Sequence, residues 1–250
     1  ELASGKVSIA DVQELNIDDL LNRDAVPPQT ILMAKNIYQR TVLITGAAGT
    51  IGSEIARQVL DQGPLKIILL DRNEFGLYLL QEELSKRKAS HGERLEDTKI
   101  LTILGSVTDP QLLFELVNQQ EIDIIYHAAA YKHVPMVEHN VREGLRNNVF
   151  GTLNLVKVAH KFEVPHLVLV STDKAVRPTN IMGASKRLCE KIFQAYADLD
   201  GKTTFSMVRF GNVLGSSGSV VPQFRKQIAE GGPVTVTHPK IDRFFMSISE

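Results

Sequence analysis

Seven residues constrain this chain more than any others: Gly46-Ala47-Ala48-Gly49-Thr50-Ile51-Gly52. They follow a short apolar run, Thr41–Thr45, and open a helical pattern, Ile51–Asp61. A strand that turns on glycines straight into a helix is the first half of a βαβ unit. Its glycines let the backbone approach a pyrophosphate, and the new helix N-terminus offers amide donors and a positive dipole end. With no ligand, the same residues would make only a tight βα turn.

The rhythm continues downstream. Lys66–Leu70, Lys99–Leu104, Ile122–His127, His166–Ser171 and Thr204–Arg209 are short and rich in Val, Ile and Leu, as buried strands are. Between them lie helical patterns at Glu74–Lys88, Pro110–Gln120, Val141–Phe162 and Asn180–Asp198. Apolar strands separated by helices predict an α/β fold, a Rossmann-type doubly wound parallel sheet. Ligands then bind at the carboxyl ends of the strands. Residues 1–40 are polar and carry Pro27-Pro28, so they are expected to form a linker or N-terminal arm with one short helix. Residues 41–210 are expected to be the dinucleotide-binding domain. From Gly211 the rhythm breaks, and 211–250 are expected to begin a substrate-binding lobe that the chain's end cuts short.

Composition removes several alternatives. The formal net charge of −1 gives no support to binding driven by nucleic-acid phosphates. The single cysteine, Cys189, excludes an internal disulfide and a cysteine zinc cage, and no metal is expected. No apolar run approaches the ~20 residues of a membrane span, so no membrane contact by this stretch is expected. The first residues do not read as a signal peptide.

Several residues point to a dinucleotide. Asp71 ends the second strand, 19 residues after Gly52, where an acid suits the adenosine ribose or, alternatively, caps the next helix. An acid favours NAD, while the adjacent Arg72 leaves NADP open. His127-Ala128-Ala129-Ala130 ends the fourth strand, and its small side chains let a dinucleotide lie flat. The candidate cofactor contacts are therefore Gly46, Ala48, Gly49, Thr50, Ile51, Gly52, Asp71, Arg72, Ala128 and Ala129.

Taken with further segments, these residues resemble the extended short-chain dehydrogenase/reductase superfamily. Within it, the chain resembles the CapD-like nucleotide-sugar 4,6-dehydratases of polysaccharide and glycan biosynthesis. The segments are Gly46–Gly52, His127–Pro135, Asn148–Thr152, Ser171–Lys186, Arg209–Gly215 and Asp242–Met246. One departure is informative. Where a short-chain dehydrogenase carries its catalytic tyrosine, four residues before Lys186, this chain has Met182. A thioether cannot take or give the proton a phenol would.

The resemblance implies C4 oxidation of UDP-N-acetylglucosamine, loss of water across C5 and C6, and return of the hydride to C6. It implies NAD, with NADP possible, held tightly and regenerated within the cycle. It also implies that acid–base chemistry has moved to Thr172-Asp173-Lys174. Asp173 is the expected acid, its pKa raised by burial. Lys174 is the expected base, neutral at working pH, and Thr172 orients the 4-hydroxyl. For all three to face one sugar the chain must turn at once after the strand, and Pro178 fits such a turn. Lys186 is expected on the nicotinamide ribose. Lys132 is expected on a sugar hydroxyl or phosphate, and His133 is either a sugar contact or a satisfied loop histidine. Met182, Asn212, Ser219, Val220, Pro222 and Arg243 complete the expected substrate contacts.

Long members of this family begin with membrane helices. The resemblance therefore implies an inner-membrane parent with this fragment on the cytoplasmic side, and a homo-oligomer. Two other readings stay open. A UDP-sugar 4-epimerase needs only C4 chemistry but normally uses the absent tyrosine. A non-catalytic dinucleotide-binding module would have no use for the Asp173–Lys174 pair.

Overall fold

A computed structural model describes residues 21, 23, 26–216, 220–236 and 243–250. The described residues divide into two units, Pro28–Gly211 and a second formed by those before Pro28 together with those from Asn212 to Glu250.

The larger unit opens with α1 (Thr30–Ile37), which buries Ile37, and continues into β1 (Thr41–Thr45), every residue of which is buried. Then follow α2 (Thr50–Asp61), β2 (Lys66–Asp71), α3 (Glu74–Ser90), β3 (Lys99–Leu104), α4 (Pro110–Gln120) and β4 (Ile124–His127). After these come α5 (Val134–His139), α6 (Val141–Leu145), α7 (Gly151–Lys161), β5 (His166–Val170), α8 (Ile181–Ala197) and β6 (Thr204–Val208). All six strands are parallel, in the order β3-β2-β1-β4-β5-β6. The doubly wound sheet read from the sequence is therefore present. Its order reverses between β1 and β4, which puts the ligand crevice at their carboxyl ends.

One cluster, built around Val42, Ile44, Leu60 and Leu84, covers one face of the sheet. A second, around Leu43, Leu155, Leu169 and Phe193, covers the other. Both faces of every central strand are thus apolar, which is why these strands read as unbroken hydrophobic runs.

The expected single helix Val141–Phe162 is interrupted. Arg146–Phe150 forms a π-helical turn between α6 and α7, and it buries Asn147 and Asn148. Such turns interrupt the regular hydrogen-bond ladder and often accompany functional sites. Helix α5 was not anticipated: its six residues follow the Tyr131-Lys132-His133 loop, with Pro135 in the first turn.

In the smaller unit, β7 (Asn212–Val213) pairs in parallel with β8 (Phe245–Met246), and α9 runs from Val220 to Ala229. Arg23 pairs with Glu250 in the same unit. No helix among the described residues is long and apolar enough to cross a membrane.

Candidate active site

The glycine loop closes tightly on the sheet. Gly46 has φ +69°, and a Cβ there would lie 2.6 Å from the Ala129 nitrogen at the end of β4. A Cβ on Gly52 would lie 2.0 Å from the Gly46 carbonyl oxygen, so α2 can start only this close to β1 because both residues lack side chains. Thr50 and Ile51 form the first turn of α2, and Gly49 is its N-cap. The groove above the loop is lined by Gly46, Gly49, Asp71, Arg72, Ala128 and Ala129, among others.

Asp71 does not cap the next helix; Asn73 does, accepting from the Gly76 amide at 3.1 Å. Instead Asp71 Oδ2 accepts the Ala48 N–H at 2.9 Å and Oδ1 accepts the Asn73 N–H at 2.9 Å. The acid therefore fixes the middle of the glycine loop, and each oxygen retains acceptor capacity in a residue that lines the groove. Arg72 lies with its guanidinium 4.5 Å from the centre of the Tyr131 ring, a cation–π stack across the groove wall.

At the end of β5 the chain turns at once, as the sequence required. Thr172 is extended (φ −145°, ψ 156°), and Asp173–Ala175 form a 3-10 turn. Gly183 permits that turn to pack on α8: a Cβ there would lie 2.3 Å from the Lys174 carbonyl oxygen. Lys174 Nζ is 3.0 Å from Asp173 Oδ1, and Thr172 Oγ1 donates to the same oxygen at 2.9 Å. One expectation fails here. Burial pushes the Asp173 carboxyl up, but the hydrogen bonds from Lys174 and Thr172 and the Lys174 charge outweigh it, and the group sits below its ordinary range. At rest Asp173 is a carboxylate, because the base expected beside it is its own ion-pair partner.

On α8, Met182 and Lys186 are both buried, at 4% and 5% exposure. A solvated Lys186 is thereby excluded. Burial pushes its ammonium below the ordinary lysine range, and no described residue hydrogen-bonds it. Nearby, a buried relay fills the end of β4. Thr152 Oγ1 donates to the Asn148 carbonyl at 2.6 Å, so it accepts from His127 Nε2 at 2.9 Å, and Thr45 Oγ1 donates to His127 Nδ1 at 2.7 Å. Burial, helped by the Lys186 charge, lowers the His127 pKa to about 3, and the ring is neutral. Cys189 packs beneath, its thiol 3.0 Å from the Asn148 carbonyl.

Asn148 opens the Asn148–Thr152 segment, where the sequence alone assigns it no role. Its Oδ1 accepts the Tyr131 N–H at 2.8 Å, while Nδ2 faces the Tyr131 carbonyl at 3.1 Å and Ser185 Oγ at 3.0 Å. It ties the loop after β4 to α8. The one available signal was an Asn-Asn pair inside an otherwise helical, apolar run. Lys132 and His133 follow on that loop, both exposed. Desolvation by surrounding protein still holds the Lys132 ammonium below the ordinary lysine range.

The larger unit thus brings together the glycine loop, Asp71, Arg72, Ala128 and Ala129 along the groove, and Thr172, Asp173, Lys174, Met182 and Lys186 on the β5–α8 side. Asn212, Val220, Pro222 and Arg243 belong to the smaller unit. Ser219 lies outside the described residues. Among the described residues no group of His, Cys, Asp or Glu could hold a metal ion.

Residues 42–250 match a protein family described as polysaccharide biosynthesis protein. The chain belongs to this family. Over its whole length it is 44% identical to the capsular polysaccharide biosynthesis protein CapD of Staphylococcus aureus, covering 41% of that protein. It is 36% identical to a UDP-N-acetylglucosamine 4,6-dehydratase (inverting) of Campylobacter jejuni, over 84% of the chain and 60% of the relative. A UDP-glucose 4-epimerase of Rickettsia rickettsii is 35% identical over 84% of the chain and 59% of its own length. Among solved structures, Pen from Bacillus thuringiensis superposes with a TM-score of 0.76 at 36% identity, covering 85% of this chain and 65% of that one. A dTDP-glucose 4,6-dehydratase, DesIV of Streptomyces venezuelae, solved with NAD and TYD, shares the fold at a TM-score of 0.71 and 23% identity, over 83% of this chain and 68% of its own. The chain thus spans less than half of the CapD relative and about three fifths of the other two. Family and fold place it in the short-chain dehydrogenase/reductase superfamily, with the nucleotide-sugar dehydratases and epimerases of polysaccharide biosynthesis.

Proposed function

We propose that the full-length protein is a UDP-N-acetylglucosamine 4,6-dehydratase that supplies a UDP-4-keto-6-deoxy sugar for polysaccharide or glycan biosynthesis. The observation that carries this reading is the Asp173–Lys174 pair, held on a tight turn against the helix that buries Lys186 and puts Met182 where a tyrosine would stand.

The residues present fit a dinucleotide. The cradle at Gly46 and Gly52 is one that any Cβ would fill, Asp71 lines the groove with acceptor capacity to spare, and the buried Lys186 ammonium has no described hydrogen-bond partner. NAD, when bound, supplies the oxidation at C4 and the matching reduction at C6. The chain's own residues do the rest. The Gly46–Gly52 loop and the α2 N-terminus hold the pyrophosphate, and Lys186 holds the nicotinamide ribose. Thr172 orients the 4-hydroxyl.

At rest Asp173 and Lys174 are an ion pair, and the one transferable proton between them lies on the ammonium. Its transfer across their 3.0 Å contact gives the two species elimination needs, a neutral amine to take the C5 proton and a neutral carboxylic acid to protonate the departing C6 hydroxyl. Excluding water with the sugar favours this neutral pair over the ion pair, since the charged form loses its hydration. Lys132 and His133 border the sugar. Anchoring of the parent protein in the inner membrane, cytoplasmic placement of this stretch, and a homo-oligomer complete the proposal, on the strength of the resemblance.

An epimerase is favoured by the Rickettsia relative and opposed by Met182, which cannot serve the 4-hydroxyl as a base. Incubating the full-length protein with UDP-N-acetylglucosamine in deuterium oxide tests the proposal. Dehydration puts deuterium at C5 of a 4-keto-6-deoxy product. Inversion at C4 without C5 deuterium would establish the epimerase, and an unchanged sugar would leave only a dinucleotide-binding module.

A further inference from the structure

We infer that Glu190 is a positioning residue for the acid–base turn, holding Asp173 and Lys174 in register with Lys186 through Ser171 and Arg209. The inference rests on the dehydratase reading above.

Glu190 is fully buried on α8, four residues beyond Lys186. Ser171 Oγ donates to its Oε1 at 2.7 Å, Arg209 Nε to Oε1 at 2.7 Å, Arg209 Nη2 to Oε2 at 2.6 Å, and Arg187 Nη1 to Oε2 at 2.9 Å. Burial would push this carboxyl up, but the hydrogen bonds from Arg209, Ser171 and Arg187 outweigh it and hold it down at about 2. A fully buried, fully bonded carboxylate adapts poorly to displacement, because losing one partner leaves charge uncompensated.

What sets this pair apart from an ordinary helix–strand tie is where its partners lead. Ser171 directly precedes Thr172, and its own N–H donates to the Val208 carbonyl at 2.7 Å. Arg209 directly precedes Phe210, whose carbonyl accepts the Asp173 N–H at 3.0 Å. The links close a ring from Glu190 through Ser171, Thr172, Asp173, Phe210 and Arg209 back to Glu190. Lys186 sits one helical turn earlier on the same α8 face. Glu190 therefore couples the turn that carries the acid and base to the helix that carries Lys186. Misplacement of a reacting group by about 1 Å can cost about 10²-fold.

The test uses full-length protein and four forms: wild type, Ser171→Ala, Ser171→Thr and Glu190→Gln. Ser171→Ala removes one hydroxyl and leaves the Glu190–Arg209 pair intact, so the fold is kept. Its dehydratase turnover should fall about tenfold or more, while reduced-nicotinamide absorbance rises in the steady state because elimination slows more than C4 oxidation. Calorimetric NAD affinity should stay within about threefold of wild type, as the glycine loop and Lys186 are untouched. Ser171→Thr restores the hydroxyl and most of the turnover. Glu190→Gln gives up an acceptor oxygen and should show the same rise in reduced cofactor. Wild-type turnover and cofactor state in Ser171→Ala would overturn the inference alone. So would a parallel loss of turnover, NAD affinity and Tm with no rise in reduced cofactor, the mark of a purely structural pair. A wild-type protein that leaves the sugar unchanged overturns the dehydratase reading, and the inference with it.

Discussion

Lys174 Nζ stands 3.0 Å from Asp173 Oδ1, so the two groups assigned to acid and base are each other's ion-pair partner at rest. Sequence neighbours can meet this way only because the chain leaves its extended conformation at Thr172 and enters a 3-10 turn. In the proposed dehydratase the pair would thereby store the proton that elimination moves.

Asp173→Asn and Lys174→Ala should each lower dehydratase turnover of the full-length protein by about 10²–10⁴-fold, the usual contribution of a general acid or base. Asparagine keeps the shape but cannot protonate the C6 hydroxyl. Alanine removes the base. Stopped-flow absorbance should show reduced nicotinamide accumulating in Asp173→Asn. Near-normal turnover in both variants would shift the chemistry to Lys132 and His133.

Met182→Tyr should not improve the enzyme. Met182 is 4% exposed, and a phenol enlarges a filled site at a typical cost of about 1–3 kcal/mol. A lower Tm with unchanged or reduced turnover is expected. A large rise in turnover would show that the thioether is a defect in this site.

Gly183→Ala separates the turn from the cofactor groove. The added Cβ would lie 2.3 Å from the Lys174 carbonyl oxygen, so the Asp173–Ala175 turn must move off α8. Turnover should fall at least about tenfold while calorimetric NAD affinity changes little. By contrast, Asp71→Ala removes the acceptor that fixes the Ala48 N–H, and NAD should bind at least about tenfold weaker, roughly 1.4 kcal/mol. Equal NAD affinity in Asp71→Ala and wild type would mean that the loop holds its shape without the carboxylate.

The sheet was legible because its strands are buried on both faces and its helices fill the gaps between them, a pattern local enough to read. The glycine loop was legible for much the same reason: Gly52 is forced by contacts within the βα turn, and Gly46 by its positive φ there as well as by the approach of Ala128 and Ala129. What escaped is what distant residues decide. Glu190 looks like an ordinary helix glutamate until Ser171, 19 residues earlier, and Arg209, 19 residues later, meet on it. Asn148 gains its role from Tyr131 and from Ser185, which is 37 residues away. The Asp173 carboxyl lies below its ordinary range because the neighbouring Lys174 ammonium and the Thr172 hydroxyl outweigh the burial that the sequence alone suggests.

Stability should fall on mild acidification, and His127 sets where the fall begins. Its folded pKa of about 3 lies below the ordinary histidine value of 6.5, because burial and the Lys186 charge oppose protonation. Between those values the unfolded chain binds a proton that the folded one refuses. Folding stability is therefore intact above about pH 6.5 and declines as pH falls toward 3. From pH 7.5 to pH 5 this one group should cost about 2 kcal/mol. Glu190, with its folded pKa of about 2, adds a loss of the same sign below the ordinary carboxylate range. Urea midpoints at pH 7.5, 6 and 5 measure the effect. His127→Gln keeps a donor and an acceptor for Thr152 and Thr45 but cannot titrate, so its midpoint should be lower at pH 7.5 and nearly flat down to pH 5. A wild-type midpoint that is itself flat over that range would show that His127 accepts a proton in place, with Thr45 Oγ1 turning to receive it.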